Sequence, residues 1–79
     1  MLIEVRLYAT LRQSAPATAT SGVFPVQMPD GSTIGELVSA IQIDPAEIKL
    51  YMVNGASVEM DHVLHEGDRV GMFPPVGGG

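Results

Sequence analysis

Only one stretch of this sequence carries the periodicity of an amphipathic helix, and the apolar segments on either side of it alternate with period two. Ile34, Leu37, Val38 and Ile41 fall at i, i+3, i+4 and i+7, a stripe that needs an apolar surface to lie against. Here that surface has to be a sheet. Pro29, Asp30 and Gly31 form the preceding turn, and Ser32 or Thr33 can cap the helix. With Thr33 as cap, Glu36 completes a capping box, each side chain accepting from the other's backbone N–H. Gly35 weakens the helix by up to ~1 kcal/mol relative to Ala, so packing against the sheet must offset it.

The strands can be placed around this helix. From Leu2 to Tyr8, Ile3, Val5 and Leu7 share one face and Glu4, Arg6 and Tyr8 the other, which predicts a first strand. Residues 14–22 (SAPATATSG) are small, polar and uncharged, and are expected to form a mobile loop. Val23–Met28 reads as an edge strand, because Pro25 has no N–H to give a ladder. Asp44, Pro45 and Glu47 repeat the helix-start signal and predict one short turn. Lys49–Val53 reads as a strand closed by Asn54-Gly55, the pair that most readily supplies positive φ in a hairpin. Val58 falls in a short fourth strand. After the Glu66-Gly67-Asp68 turn, Val70 and Met72 alternate with Arg69, Gly71 and Phe73 in a last strand, which Pro74 and Pro75 stop. Met52 and Met72 are expected at core phase. The order ββα, short helix, βββ is that of the ubiquitin-like β-grasp: an α+β fold with a mixed sheet of four to five strands and one main helix across it. The domain is expected over residues 1–73, with 74–79 as an extended, glycine-ending tail.

A chain of 79 residues has room for one domain. Cysteine is absent, which removes disulfides, thiolate metal sites and cysteine nucleophiles together. Residues 1–13 lack the basic and apolar regions of a secretion signal, and no apolar run approaches a membrane span. The protein is expected to be cytoplasmic, with no membrane partner. A net charge of −5 and only two Phe, two Tyr and no Trp argue against a nucleic-acid surface and suit a basic protein partner.

No catalytic constellation is present: there is no Gly-rich phosphate loop, nucleophile elbow or paired-carboxylate motif. His62 and His65 are three apart, but no Cys or third His accompanies them, so they read as solvent-exposed turn residues. The chemistry concentrates at the end of the sequence. The prolines keep the tail from pairing as a strand, and the six residues Pro74 to Gly79 can reach ~20 Å from the domain. Glycine, lacking Cβ, can pass a narrow channel and present an unshielded carbonyl carbon. A carboxylate there is a poor acyl donor until it is activated, typically as an acyl adenylate, after which a sulfur nucleophile can form a thiocarboxylate. Taken alone, three glycines more often mark a frayed end or linker. Their position behind Phe-Pro-Pro-Val and a strand favours the functional reading.

The chain resembles the sulfur carrier subunits of molybdopterin synthase (the MoaD/ThiS ubiquitin-like group), with the thiamine-pathway carrier more distant. The resemblance runs from the opening strand and its continuation YATLR (8–12), through the helix and VNG (53–55), to LHEGDRV (64–70) and FPPVGGG (73–79). It implies a carrier with no active site of its own and no bound cofactor. A ubiquitin-activating-like adenylyltransferase (MoeB/ThiF type) would use Mg-ATP to adenylate Gly79. A sulfurtransferase would supply the sulfur of the thiocarboxylate, and the large synthase subunit (MoaE type) would accept the tail and direct the sulfur into the molybdenum cofactor. The resemblance makes Gly79 the reacting position, threads Gly77 and Gly78, docks Phe73, Pro74, Pro75 and Val76, and gives Arg12 a place in binding the adenylyltransferase. Gly77 departs from the Ala, Ser or Thr common in that group, adding a flexible unit that costs ~1–2 kcal/mol to order. The Ala/Thr-rich loop and short 42–48 connection leave related carriers open, serving tungsten cofactor, thiamine, cysteine or siderophore sulfur transfer. A ubiquitin-like protein modifier and a passive interaction module are the readings from other classes.

Overall fold

The computed structural model describes residues 1–75. Among them lies a five-stranded mixed sheet of order β2-β1-β5-β3-β4, crossed by one α-helix. The strands are β1 (Leu2–Leu7), β2 (Val23–Gln27), β3 (Leu50–Val53), β4 (Ala56–Val58) and β5 (Arg69–Phe73), and the helix is α1 (Ile34–Ala40). This is the ubiquitin-like β-grasp.

The first and last strands pair in parallel at the centre, Val5 opposite Val70 and Leu7 opposite Met72. The neighbouring pairs are antiparallel: β1 with β2, β5 with β3 and β3 with β4. Ile3, Val5, Leu7, Val70 and Met72 are almost wholly buried and meet Ile34, Leu37 and Val38 of α1 in one core. Pro25 lies on the outermost strand opposite Glu4, where its missing donor breaks no second ladder.

The helix begins as its sequence dictates. Thr33 accepts from the Glu36 N–H at 3.3 Å, and the Glu36 carboxylate accepts from the Thr33 N–H at 2.9 Å. Ser32 instead closes the preceding turn, its hydroxyl donating to the Pro29 carbonyl. The second start signal gives a single 3₁₀ turn, Pro45–Glu47, capped by Asp44, which accepts from the Ala46 N–H. Asn54 (φ 51°) and Gly55 (φ 87°) join β3 to β4 with the positive φ angles their pairing predicts. Asp68, nearly buried, accepts from the His65 N–H and the Asn54 side-chain amide, tying this hairpin to the turn that launches β5.

Three local expectations are corrected. YATLR does not continue the first strand, because Ala9 takes φ 52° and residues Ala9–Ser14 wind into a 3₁₀ helix that buries Leu11. Met52 is half-buried on the outer face, while Tyr51 and Val53 take the core positions of β3. Apolar residues at successive positions leave the phase of a strand undetermined until its partners are known. His62 is half-buried and only His65 is exposed. Residues 14–22, expected as a loop, contain turns closed by hydrogen bonds from Ala19 to Pro16 and between Thr20 and Val23.

Gly22 fastens that segment to the sheet. Its carbonyl accepts from the Leu7 N–H at 2.9 Å, its φ is +80°, and a Cβ would stand 2.5 Å from the Leu7 carbonyl oxygen. Replacing it combines a left-handed conformation with a backbone clash. Gly22→Ala is expected to destabilise the fold by more than ~1 kcal/mol, whereas Gly31→Ala, which meets no atom within 4 Å, carries the φ penalty alone. Urea denaturation of the two variants measures the difference.

Candidate functional site

The side of the sheet away from α1 is open, and the residues at its middle are dictated by the central parallel pair. On β1 the outward positions are Glu4 and Arg6, followed by Tyr8, and on β5 they are Arg69, Gly71 and Phe73. Gly71 sits between Arg6 of β1 and Met52 of β3. Without a side chain there, the surface is hollowed. Tyr8 and Phe73 lie across this hollow as a parallel stack, ring centroids 4.3 Å apart and planes within 4°. A Cβ on Gly71 would stand 3.3 Å from the Tyr8 ring and 3.5 Å from the Phe73 ring, so the glycine makes room for the stack.

Charge on this face runs opposite to that of the chain. Arg6 Nε donates to the Glu4 carboxylate at 2.6 Å, and Arg69 lies 4.0 Å from the same oxygen, so two guanidinium groups share one carboxylate. Glu4 hydrogen bonding, and then the Tyr8 phenol, raise the Arg6 pKa above its ordinary value. The net negative charge suggested a basic partner, yet two of the chain's four basic residues stand on this one face. Among the described residues no cluster of His, Asp or Glu is arranged to hold a metal, and no helix is long and apolar enough to cross a membrane.

The chain leaves the sheet at the same end. Phe73 is the last residue of β5, Pro74 is half-buried and Pro75 exposed. Both prolines border an apolar groove with Ala9, Leu50 and Phe73. The Lys49 N–H donates to the Phe73 carbonyl at 2.8 Å, fixing the exit point to the start of β3. Arg12 is exposed on the 3₁₀ turn that follows β1. The structure thus brings Phe73, Pro74 and Pro75 together, while Arg12 lies on the neighbouring turn. Val76, Gly77, Gly78 and Gly79 lie outside the described residues. Sequence reasoning missed Tyr8 as a partner of Phe73, since the contact requires β1 and β5 to be neighbours. The shared outward phase of two aromatic residues at the ends of the first and last strands was the available signal.

Gly71→Val should part the two rings while leaving the core face of β5 intact. The expected outcome is loss of the mutual ring-current shifts of Tyr8 and Phe73 in NMR spectra, with the Val70 and Met72 methyl signals little changed. Retention of the ring shifts would show that the stack does not depend on the hollow.

Comparison with known proteins follows the fold. The model of the Mut7-C ubiquitin family matches residues 1–77. No curated protein sequence matches the chain. Among solved structures, SAMP1 from Haloferax volcanii is similar with a TM-score of 0.76 and 24% identity, each chain covered in full. A protein described as molybdopterin converting factor, subunit 1, from Pyrococcus furiosus is similar with a TM-score of 0.75 and 27% identity, over 95% of this chain and 98% of that one. The complex of subunits 1 and 2 of the molybdopterin-converting factor from Helicobacter pylori contains a similar chain, with a TM-score of 0.65, 20% identity and full coverage of both. These neighbours share the fold, and the matched family is a ubiquitin-like one whose description does not name a molybdopterin synthase subunit. The chain belongs to the Mut7-C ubiquitin family.

Proposed function

We propose that the protein is a ubiquitin-like sulfur carrier of the molybdopterin synthase small-subunit type, working in the cytoplasm, in which the Gly79 carboxylate is adenylated by a partner and converted to a thiocarboxylate. The observation that carries this reading is the root of the tail. A strand at the centre of a β-grasp sheet ends at Phe73, and Pro74 and Pro75 lead directly from it into Val76 and the three glycines. On this reading the domain body holds the root, and the reactive end enters a second protein. The 27% identity to the Pyrococcus furiosus molybdopterin converting factor subunit over nearly all of both chains supports the same reading.

On this reading Mg-ATP is consumed by the partner adenylyltransferase and no cofactor rests on the chain itself. A sulfurtransferase supplies sulfur, and a large synthase subunit receives the tail. The pairing of subunits 1 and 2 in the Helicobacter pylori complex is a precedent for that last contact. The second reading, a protein modifier attached through Gly79 to lysines, draws on the likeness to a small archaeal modifier protein. Both readings require activation of the same carbon, and their products differ.

Incubation with Mg-ATP, an adenylyltransferase of this type and a sulfide source, followed by intact and C-terminal peptide mass measurement, tests the proposal. Replacement of one oxygen by sulfur on Gly79 is the expected result. A ladder of isopeptide conjugates in its place would establish the modifier, and no ATP-dependent change with an enzyme active on another carrier would overturn both.

The docking contacts give a separate test. Phe73 offers apolar area in the hollow beside the tail root, while Arg12 is solvated on its turn. Phe73→Ala should weaken partner binding by more than ~1 kcal/mol and Arg12→Ala by less. Calorimetric titration with the adenylyltransferase measures the order, and a reversed order would remove Phe73 from the docking site.

A further inference from the structure

The sequence contains a single lysine, Lys49, and the structure puts it beside the root of the tail. Its backbone N–H is bonded to the Phe73 carbonyl, its side chain is exposed, and it borders the groove that holds Pro74 and Pro75. The ion pairs among the described residues engage Met1, Arg6 and Arg69, leaving the Lys49 amine to solvent there. The Met1 nitrogen is in the opposite situation. It donates to the Met28 carbonyl at 2.7 Å and lies 3.4 Å from Asp30, so it is engaged on two sides, and Met1 is half-buried. No cysteine thiol is present to compete.

From this geometry we infer that Lys49, the single lysine of the sequence, is the chain's own acceptor site for an activated glycyl carbonyl. The inference rests on the reading that Gly79 is the group that becomes activated. In the step, the Lys49 Nζ lone pair attacks the Gly79 carbonyl carbon and a C–N bond forms. The bond from that carbon to the leaving group breaks, and AMP, or a thiolate if the donor is a thioester, departs with the bonding pair. The proton from Nζ goes to solvent. No oxidant or reductant is involved.

Two sources can supply the carbonyl, the same chain's tail or a second copy's. Lys49 is hydrogen-bonded to Phe73, the residue before the tail, and six residues, Pro74–Gly79, span at most ~20 Å, a length sufficient to return to Lys49. Tethering of this kind gives an effective concentration on the order of millimolar, so at ~10 μM protein the same-chain product should form about a hundredfold faster than the two-copy product. An amide at Lys49 removes the tail from sulfur transfer, which makes this lysine a point of competition with any external acceptor.

The full 79-residue chain bearing a Gly79 α-thioester of mercaptoethanesulfonate, prepared by intein cleavage, tests the inference independently of any adenylyltransferase. The expected product is an amide between Gly79 and Lys49, found by peptide mapping. A monomer one water lighter than the free acid, formed at a rate independent of protein concentration, identifies the same chain as donor. A Lys49-linked dimer formed in proportion to concentration identifies a second copy. Lys49→Arg should give neither, while hydroxylamine captures the thioester equally in both proteins. Hydroxylamine capture and hydrolysis with Lys49 unmodified, or acylation at Met1, would overturn the inference. The proposed function would stand or fall separately on the Mg-ATP experiment.

Discussion

The parallel pairing of β1 with β5 is the constraint on which the rest of the structure depends. It joins the first strand to the last across almost the whole length of the chain, and every other pairing in the sheet is an antiparallel attachment to one of these two or to β3. Parallel neighbours need a crossover, and this one carries α1 over the sheet, which buries Ile34, Leu37 and Val38 on Ile3, Val5 and Val70. The same pairing aligns the outward faces of the two strands, so it assembles the open face as well as the core. Tyr8 and Phe73 are 65 residues apart in sequence and stack only because Leu7 is opposite Met72.

What was legible in the sequence was what neighbouring residues decide among themselves. The Thr33–Glu36 box, the Asn54-Gly55 hairpin, the Asp44 cap and the alternation of β1 and β5 each depend on a few adjacent positions, and each is present. The misreadings share a different cause. Met52 could be assigned to the core because Leu50, Tyr51, Met52 and Val53 are all apolar, and only pairing with Met72 and Val70 brings Tyr51 and Val53 inward. YATLR stands in the resemblance as the continuation of the opening strand, yet Ala9 reverses the chain and Leu11 reaches the core from a 3₁₀ turn.

The candidate site follows the same division. Phe73, Pro74 and Pro75 were recognisable because a strand followed by two prolines reads locally as a fixed exit. The surroundings of that exit were not recognisable, since Ala9, Leu50 and Lys49 come from elements distant in sequence that meet only in the folded sheet. Net charge says little about this face for a related reason: it averages over a surface, and the fold places Arg6 and Arg69 together around one Glu4. A partner meets the local arrangement before it meets the average, because charges beyond ~10 Å are screened at ordinary salt.

The fixed exit also bears on how such a chain can use a glycine-rich end. A glycine run loses more conformational entropy on binding than other sequence, ~1–2 kcal/mol per residue fixed, so a tail that must enter another protein benefits from being ordered up to the last residue that can be ordered cheaply. Here that order is supplied twice. The Lys49 N–H holds the Phe73 carbonyl, and the Tyr8 ring covers the Phe73 side chain. Proline at 74 and 75 then fixes two more φ angles by covalent geometry, with no further contact needed. On the proposed reading, residues up to Pro75 bring to docking a root that the central strand of the sheet has already fixed.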